Sequence, residues 1–163
     1  MLKQIDWACD ENVLICFDKE PIVQVRYSTP YMSKQERLSV KRFPFISKKE
    51  LKVLIYDNQK FKQYHFKIRE NYCFDGATIP RFFWRLIGPN TDNEFLIAAL
   101  VHDVLCINHN FIDYDRELSS KVFKALLIAS GVSEIKANIM YHAVNTYQKY
   151  WVNWNDKESQ ESP

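Results

Sequence analysis

The period of the apolar residues changes once along this chain, close to Cys73, and that change limits the folds open to it. Before it, apolar residues come in short alternating runs: Ile22-Val23-Gln24-Val25-Arg26-Tyr27, Leu51-Lys52-Val53-Leu54-Ile55-Tyr56, and Phe61-Lys62-Gln63-Tyr64-His65-Phe66-Lys67-Ile68. Alternation with β-branched and aromatic residues predicts strands, and Asp57-Asn58 supplies a turn between the last two, so a small antiparallel sheet is expected. Residues 33–49, polar and basic around Pro44, read as an irregular excursion. After Cys73 the spacing becomes helical. Pro80 suits the first turn of a short helix that Gly88-Pro89 ends, and Thr91-Asp92-Asn93-Glu94 has the form of a capping box opening a helix to about Asn108. A third helix is expected from near Asp115 to Gly131, whose lack of a side chain suits the left-handed C′ position, and a fourth from Ser133 to about Trp154. Sheet first and about four helices after is an α+β order.

With 163 residues, 47% of them hydrophobic, the chain can bury enough surface for one domain, expected over residues 1–154, with a polar tail at 155–163 that should fray. No apolar run approaches the ~20 residues that span a bilayer, so no membrane partner is expected. Met1 to Asn12 lacks a basic region followed by an apolar stretch, so the protein is expected to stay where it is made. Cys9, Cys16, Cys73 and Cys106 show no metal-ligand spacing and read as reduced thiols. Residues 30–70 carry eleven Lys or Arg against four acids, a local charge of +7. Such an excess can suit nucleic acid through the basic residues of 34–69, although lysines alternating with apolar residues also describe a solvated sheet face.

The stretch Phe95-Leu96-Ile97-Ala98-Ala99-Leu100-Val101-His102-Asp103-Val104-Leu105-Cys106-Ile107 is apolar on every side but for two residues. A helix of that kind is buried, and His102 and Asp103 inside it are anomalous. Successive helical residues point about 100° apart, so each needs its own polar partner, because an unpaired buried charge costs several kcal/mol. Candidate partners lie upstream in Phe74-Asp75-Gly76-Ala77-Thr78-Ile79-Pro80-Arg81, where Asp75, Thr78 and Arg81 offer an acid, a hydroxyl and a cation. Arg81 is expected to pair with Asp75 or Asp103. His109, Asp113 and Asp115 follow the apolar helix, and His142 on the last helix can turn inward.

These strings resemble the DUF1353 family, found largely in bacteriophages and prophages. Its pattern is an Asp, a Ser or Thr, Ile-Pro-Arg, a Trp, a His-Asp on the next helix, and an Arg followed four residues later by an acid. Asp75, Thr78, Arg81, Trp84, His102, Asp103 and Arg116 match, whereas Ser120 stands where the last acid is expected. The resemblance covers roughly residues 60–152 and implies a phage-encoded protein of the host cytoplasm or the virion. It implies no particular reaction.

Two classes of function fit these residues. The leading expectation is a small hydrolase-like enzyme built on His102, Asp103 and Asp75, with Thr78 and Arg81 assisting. A carboxylate would orient His102 as general base, or His102, Asp103, Asp75 and His142 would hold a zinc or manganese ion that activates water. Ser120 in place of an acid weakens the metal version. The alternative is a non-enzymatic virion, structural or host-interaction protein in which the His-Asp-Arg cluster is a structural network. Tyr150, Trp151 and Trp154 would then give it an aromatic surface for a protein partner. Cys106, one turn after His102 and on its face, reads as core.

Overall fold

The structure is a computed structural model and describes residues 4–76, 93–107 and 116–151. Strands β1 (Ile5–Cys9), β2 (Val13–Phe17), β5 (Leu51–Asp57) and β6 (Lys62–Ile68) form a four-stranded antiparallel sheet in the order β1-β2-β5-β6. A second antiparallel sheet has the order β3-β4-β7, from β3 (Val23–Val25), β4 (Phe45–Ser47) and β7 (Cys73–Phe74). Four helices are described: α1 (Lys34–Arg42), α2 (Asn93–Ile107), α3 (Arg116–Ala129) and α4 (Glu134–Trp151). The fold is α+β, with the strands mostly N-terminal.

The sheet departs from expectation in two ways. The run at 22–27 does not join the strands at 51–57 and 62–68. It pairs instead with β4 in the second sheet, and the first sheet is completed by the hairpin β1–β2. In β2 the sequence carries no period-two signal, because Val13, Ile15, Cys16 and Phe17 are all buried, which removes the polar alternation that marks a half-exposed strand. Its turn is made locally by Asp10, whose Oδ1 accepts from the amides of Asn12 and Val13 at 2.7 and 2.9 Å. The turn between β5 and β6 repeats the device, with Asp57 Oδ1 accepting from Gln59 and Lys60 at 3.0 and 3.2 Å.

Residues 33–49 are not irregular: they hold α1 and β4. Ser33-Lys34-Gln35-Glu36 is a capping box, in which the Ser33 hydroxyl accepts from the Glu36 amide at 3.1 Å and the Glu36 carboxylate accepts from the Ser33 amide at 2.6 Å. Arg26 donates to the carbonyl of Phe43 at 2.9 Å at the other end, and Pro44 follows. Only Val40 of α1 is buried, so the helix rests on its caps more than on packing.

One apolar core joins the strands to α2, α3 and α4. Every residue from Phe95 to Val101 is fully buried, as an all-apolar helix requires. Helix α3 packs on α2, on α4 and on β1 and β2, and so stands at the centre of the helical layer. It ends in a Schellman motif: the amides of Gly131 and Val132 bond to the carbonyls of Ile128 and Leu127 at 3.0 and 3.1 Å, with Gly131 at φ 94°. The expected short helix from Pro80 to Gly88, the capping residues Thr91 and Asp92, and the polar tail lie outside the described residues.

Candidate functional site

Helix α2 carries His102 and Asp103 into different surroundings, as adjacent helical positions must be. Asp103 is 1% exposed and its Oδ2 accepts from the backbone amide of Gly76 at 2.9 Å. Gly76 has φ 69°, a left-handed conformation that residues with a Cβ resist. The buried carboxylate therefore holds the chain where it leaves β7 in a shape that glycine permits. Asp75, one residue before, is exposed. Burial pushes the Tyr72 hydroxyl up to about 12, with the nearby Asp103 and Asp75 carboxylates adding to the rise.

His102 is 0% exposed and points toward α3 and α4. Its ring lies 4.9 Å from that of Phe123, centroid to centroid. The Gln148 side-chain amide of α4 donates to Nε2 at 2.8 Å, so that nitrogen supplies the lone pair and the neutral ring carries its proton on Nδ1. Burial pushes the imidazole down to about 3, because the apolar surroundings disfavour the cation. The Cys106 thiol, one turn along α2, has its Sγ 3.7 Å from the same Nε2 and 2.7 Å from the Gln148 amide nitrogen.

Gln148 links this pair to α3. Its Oε1 accepts from the hydroxyls of Ser119 and Ser120 at 3.2 and 3.3 Å. The Arg116 carbonyl, 2.7 Å from the Ser119 hydroxyl, is an alternative acceptor for its one proton, and Arg116 Nε donates to Asn145 Oδ1 at 3.2 Å. Ser120, at the position where the sequence resemblance expects an acid, is thus one hydrogen bond from the amide that holds His102. The apolar stripe of α4, Ala137, Met140 and Val144, is fully buried and continues at one more turn to Gln148, also fully buried. A glutamine at that place in the stripe is the sequence signal for this contact, rather than the expected inward turn of His142. His142 is exposed on α4, with its ring 5.1 Å from that of Tyr141, and does not turn inward: it lies about 200° around the helix from buried Met140.

The expected site residues therefore divide. His102 gathers Cys106, Gln148, Ser119 and Ser120, whereas Asp103 faces Gly76, and Asp75 and His142 are exposed. Among the described residues no three of the His, Cys, Asp and Glu side chains gather as a metal would need. Thr78, Arg81, Trp84, His109, Asp113, Asp115 and Trp154 lie outside the described residues, and with them the expected Arg81 ion pair. Tyr150 is 67% exposed beneath the Lys149 ammonium, 5.5 Å from the ring centre. None of the cysteines is in a disulfide among the described residues, and no described helix is long and apolar enough to cross a membrane.

The stretch from β5 through most of α4, residues 51–144, matches the family described as "Protein of unknown function (DUF1353)". The chain belongs to the DUF1353 family. The match starts nine residues after α1 and stops four before Gln148. Two curated proteins of Sinorhizobium fredii (strain NBRC 101917 / NGR234) are similar to this DUF1353 chain. "Uncharacterized protein y4jT" is 36% identical over 77 residues, 47% of this chain and 22% of the relative. "Uncharacterized protein y4iH" is 30% identical over 77 residues, 47% of this chain and 31% of the relative. The alignment thus spans less than a third of either relative. No solved structure gives a significant match.

Proposed function

We propose that this DUF1353 chain is a non-enzymatic interaction or virion protein, in which His102 and Asp103 are the anchors of a structural polar network. The observation that carries this reading is the state of His102. It is fully buried, neutral, and its Nε2 lone pair is engaged by Gln148. A general base needs an accessible lone pair and a pKa near the working pH. Asp103 fits the same reading, because its carboxylate is bonded to the Gly76 amide. Exposed Tyr150 at the end of α4 supports a protein partner there, and Trp151 and Trp154 follow it in sequence. The phage setting, in the host cytoplasm or the virion, rests on the resemblance of the Asp75–Trp84 and His102–Asp103 motifs.

His102→Gln tests this reading. The expected result is a lower melting temperature, with no change in the zinc or manganese content of the purified protein. Near-stoichiometric metal in the native protein that is lost in His102→Gln, with the fold intact, would overturn it. A hydrolase-like reading keeps one favourable observation: Asp75 is exposed immediately beside a backbone turn that Asp103 holds in place. Catalysis would then centre on Asp75, with Thr78 and Arg81 following it in sequence. Asp75→Asn abolishing a hydrolytic activity found by a general phosphatase, esterase and peptidase screen would put that reading first.

A further inference from the structure

Helix α1 lies outside the family match and takes no part in the His102 network, yet it presents an organised surface. At about 100° per residue, Arg37, Lys41, Lys34, Leu38 and Arg42 share one arc of about 140°, and all five are exposed. Val40, the one buried residue, lies outside that arc. So does Glu36, the helix's only acid, whose carboxylate is bonded to the Ser33 amide. The basic arc therefore has no acid within it. Arg42 lies 5.2 Å from the Phe43 ring centre, which leaves Lys34, Arg37 and Lys41 as an i, i+3, i+7 row.

Two exposed aromatics precede this row in the chain. Tyr31 is 98% exposed and Tyr27 is 76% exposed, both in the segment that leads from β3 into α1. That segment is tied to the helix: Arg37 donates to the Pro30 carbonyl at 2.9 Å, Arg26 donates to the carbonyls of Phe43 and Ser39 at 2.9 and 3.4 Å, and the Met32 amide closes a turn on Thr29. The rings and the cations are thus held on one small structural unit.

We propose that this unit binds single-stranded nucleic acid, with Lys34, Arg37 and Lys41 on the phosphates and Tyr31, aided by Tyr27, stacking on bases. The row spans roughly 10 Å at ~1.5 Å per residue, about three nucleotides at ~3.4 Å per stacked nucleotide. Positive charge that tracks a backbone, next to sequence-tolerant aromatic stacking, is how proteins hold single strands. A duplex would leave the tyrosine faces without an unstacked base. A membrane surface would call for a broad apolar face, and α1 exposes only Leu38. The proposal does not depend on the role of His102.

Fluorescence anisotropy of a labelled oligothymidylate of about 12 nucleotides, with the whole chain, tests it. Three phosphate contacts predict a slope of log affinity against log salt of about −2 for a single strand. Lys34→Glu/Lys41→Glu should weaken binding tenfold or more, and Tyr31→Ala about tenfold. Lys60→Glu/Lys62→Glu, with the same change of net charge on the β5–β6 turn, should have a much smaller effect. All of these side chains are exposed, and unchanged melting temperatures would show that the fold is kept. The proposal fails if the oligonucleotide does not bind at low salt, or if the two double variants weaken binding equally. It fails also if a duplex binds as tightly and Tyr31→Ala is silent. Displacement of the oligonucleotide by phosphatidylserine vesicles but not by unlabelled single strand would assign the surface to a membrane and overturn it.

Discussion

A double-mutant cycle on His102 and Gln148 measures the network at its centre. Gln148→Leu keeps side-chain volume roughly constant while removing the donor to His102 Nε2 and the acceptor of the Ser119 and Ser120 hydroxyls. Both serines keep a second acceptor, the Arg116 carbonyl, at 2.7 and 3.4 Å. The main cost therefore falls on the imidazole nitrogen that loses this donor, roughly 1–3 kcal/mol. In a chain of this size ~1 kcal/mol moves the melting temperature by about 2–4 °C, so a drop of roughly 2–12 °C is expected. His102→Leu leaves the Gln148 amide with Cys106 as a poorer acceptor and should cost a similar amount. Replacing both removes the mismatch, so the double variant should be more stable than the sum of the single losses predicts, by about 1–2 kcal/mol. Urea denaturation of the four proteins at one pH supplies the numbers. Additivity within about 0.5 kcal/mol would mean that the 2.8 Å contact contributes no net stability, and the network argument would fall with it.

Three further outcomes follow from the same geometry. Because His102 is held at about 3 against an ordinary 6.5, the unfolded chain takes up a proton below about pH 6.5 that the native chain refuses; this contribution is present above 6.5 and lost as pH falls toward 3, at roughly 1 kcal/mol per pH unit. His102→Leu should flatten the acid limb of stability against pH by about that slope, and parallel limbs would contradict a buried neutral imidazole. Asp103→Ala should destabilise by roughly 1–3 kcal/mol by leaving the Gly76 amide without this acceptor, whereas Asp103→Asn, which keeps an oxygen there, should recover part of the loss; equal melting temperatures for the two would refute the role given to the bond. Gly131→Ala meets nothing within 4 Å but forces a Cβ into a left-handed turn, so a loss of about 1–2 kcal/mol by thermal melting is expected, with Gly131→Asn losing less.

The sequence by itself determined a good deal. The change of period near Cys73 gave the α+β order, and an apolar helix interrupted by His102-Asp103 identified two buried polar residues that must face different partners. Gly131 marked the end of α3, because one residue without a Cβ suffices to turn the chain there. These features are local, being written in spacing and in the conformational limits of single residues. What only the tertiary structure decided is non-local. Gln148 reaches His102 across 46 residues of sequence, and no local rule preferred it to His142, which lies six residues earlier and faces solvent. Asp75 and Asp103 looked equivalent as acids, yet one is exposed and the other bonded to a backbone amide. The split into two sheets was hidden for the same reason: strand partners are chosen by which apolar faces the helices cover. Periodicity tells each segment which side to bury, but which groups meet on that side depends on how α2, α3 and α4 pack together.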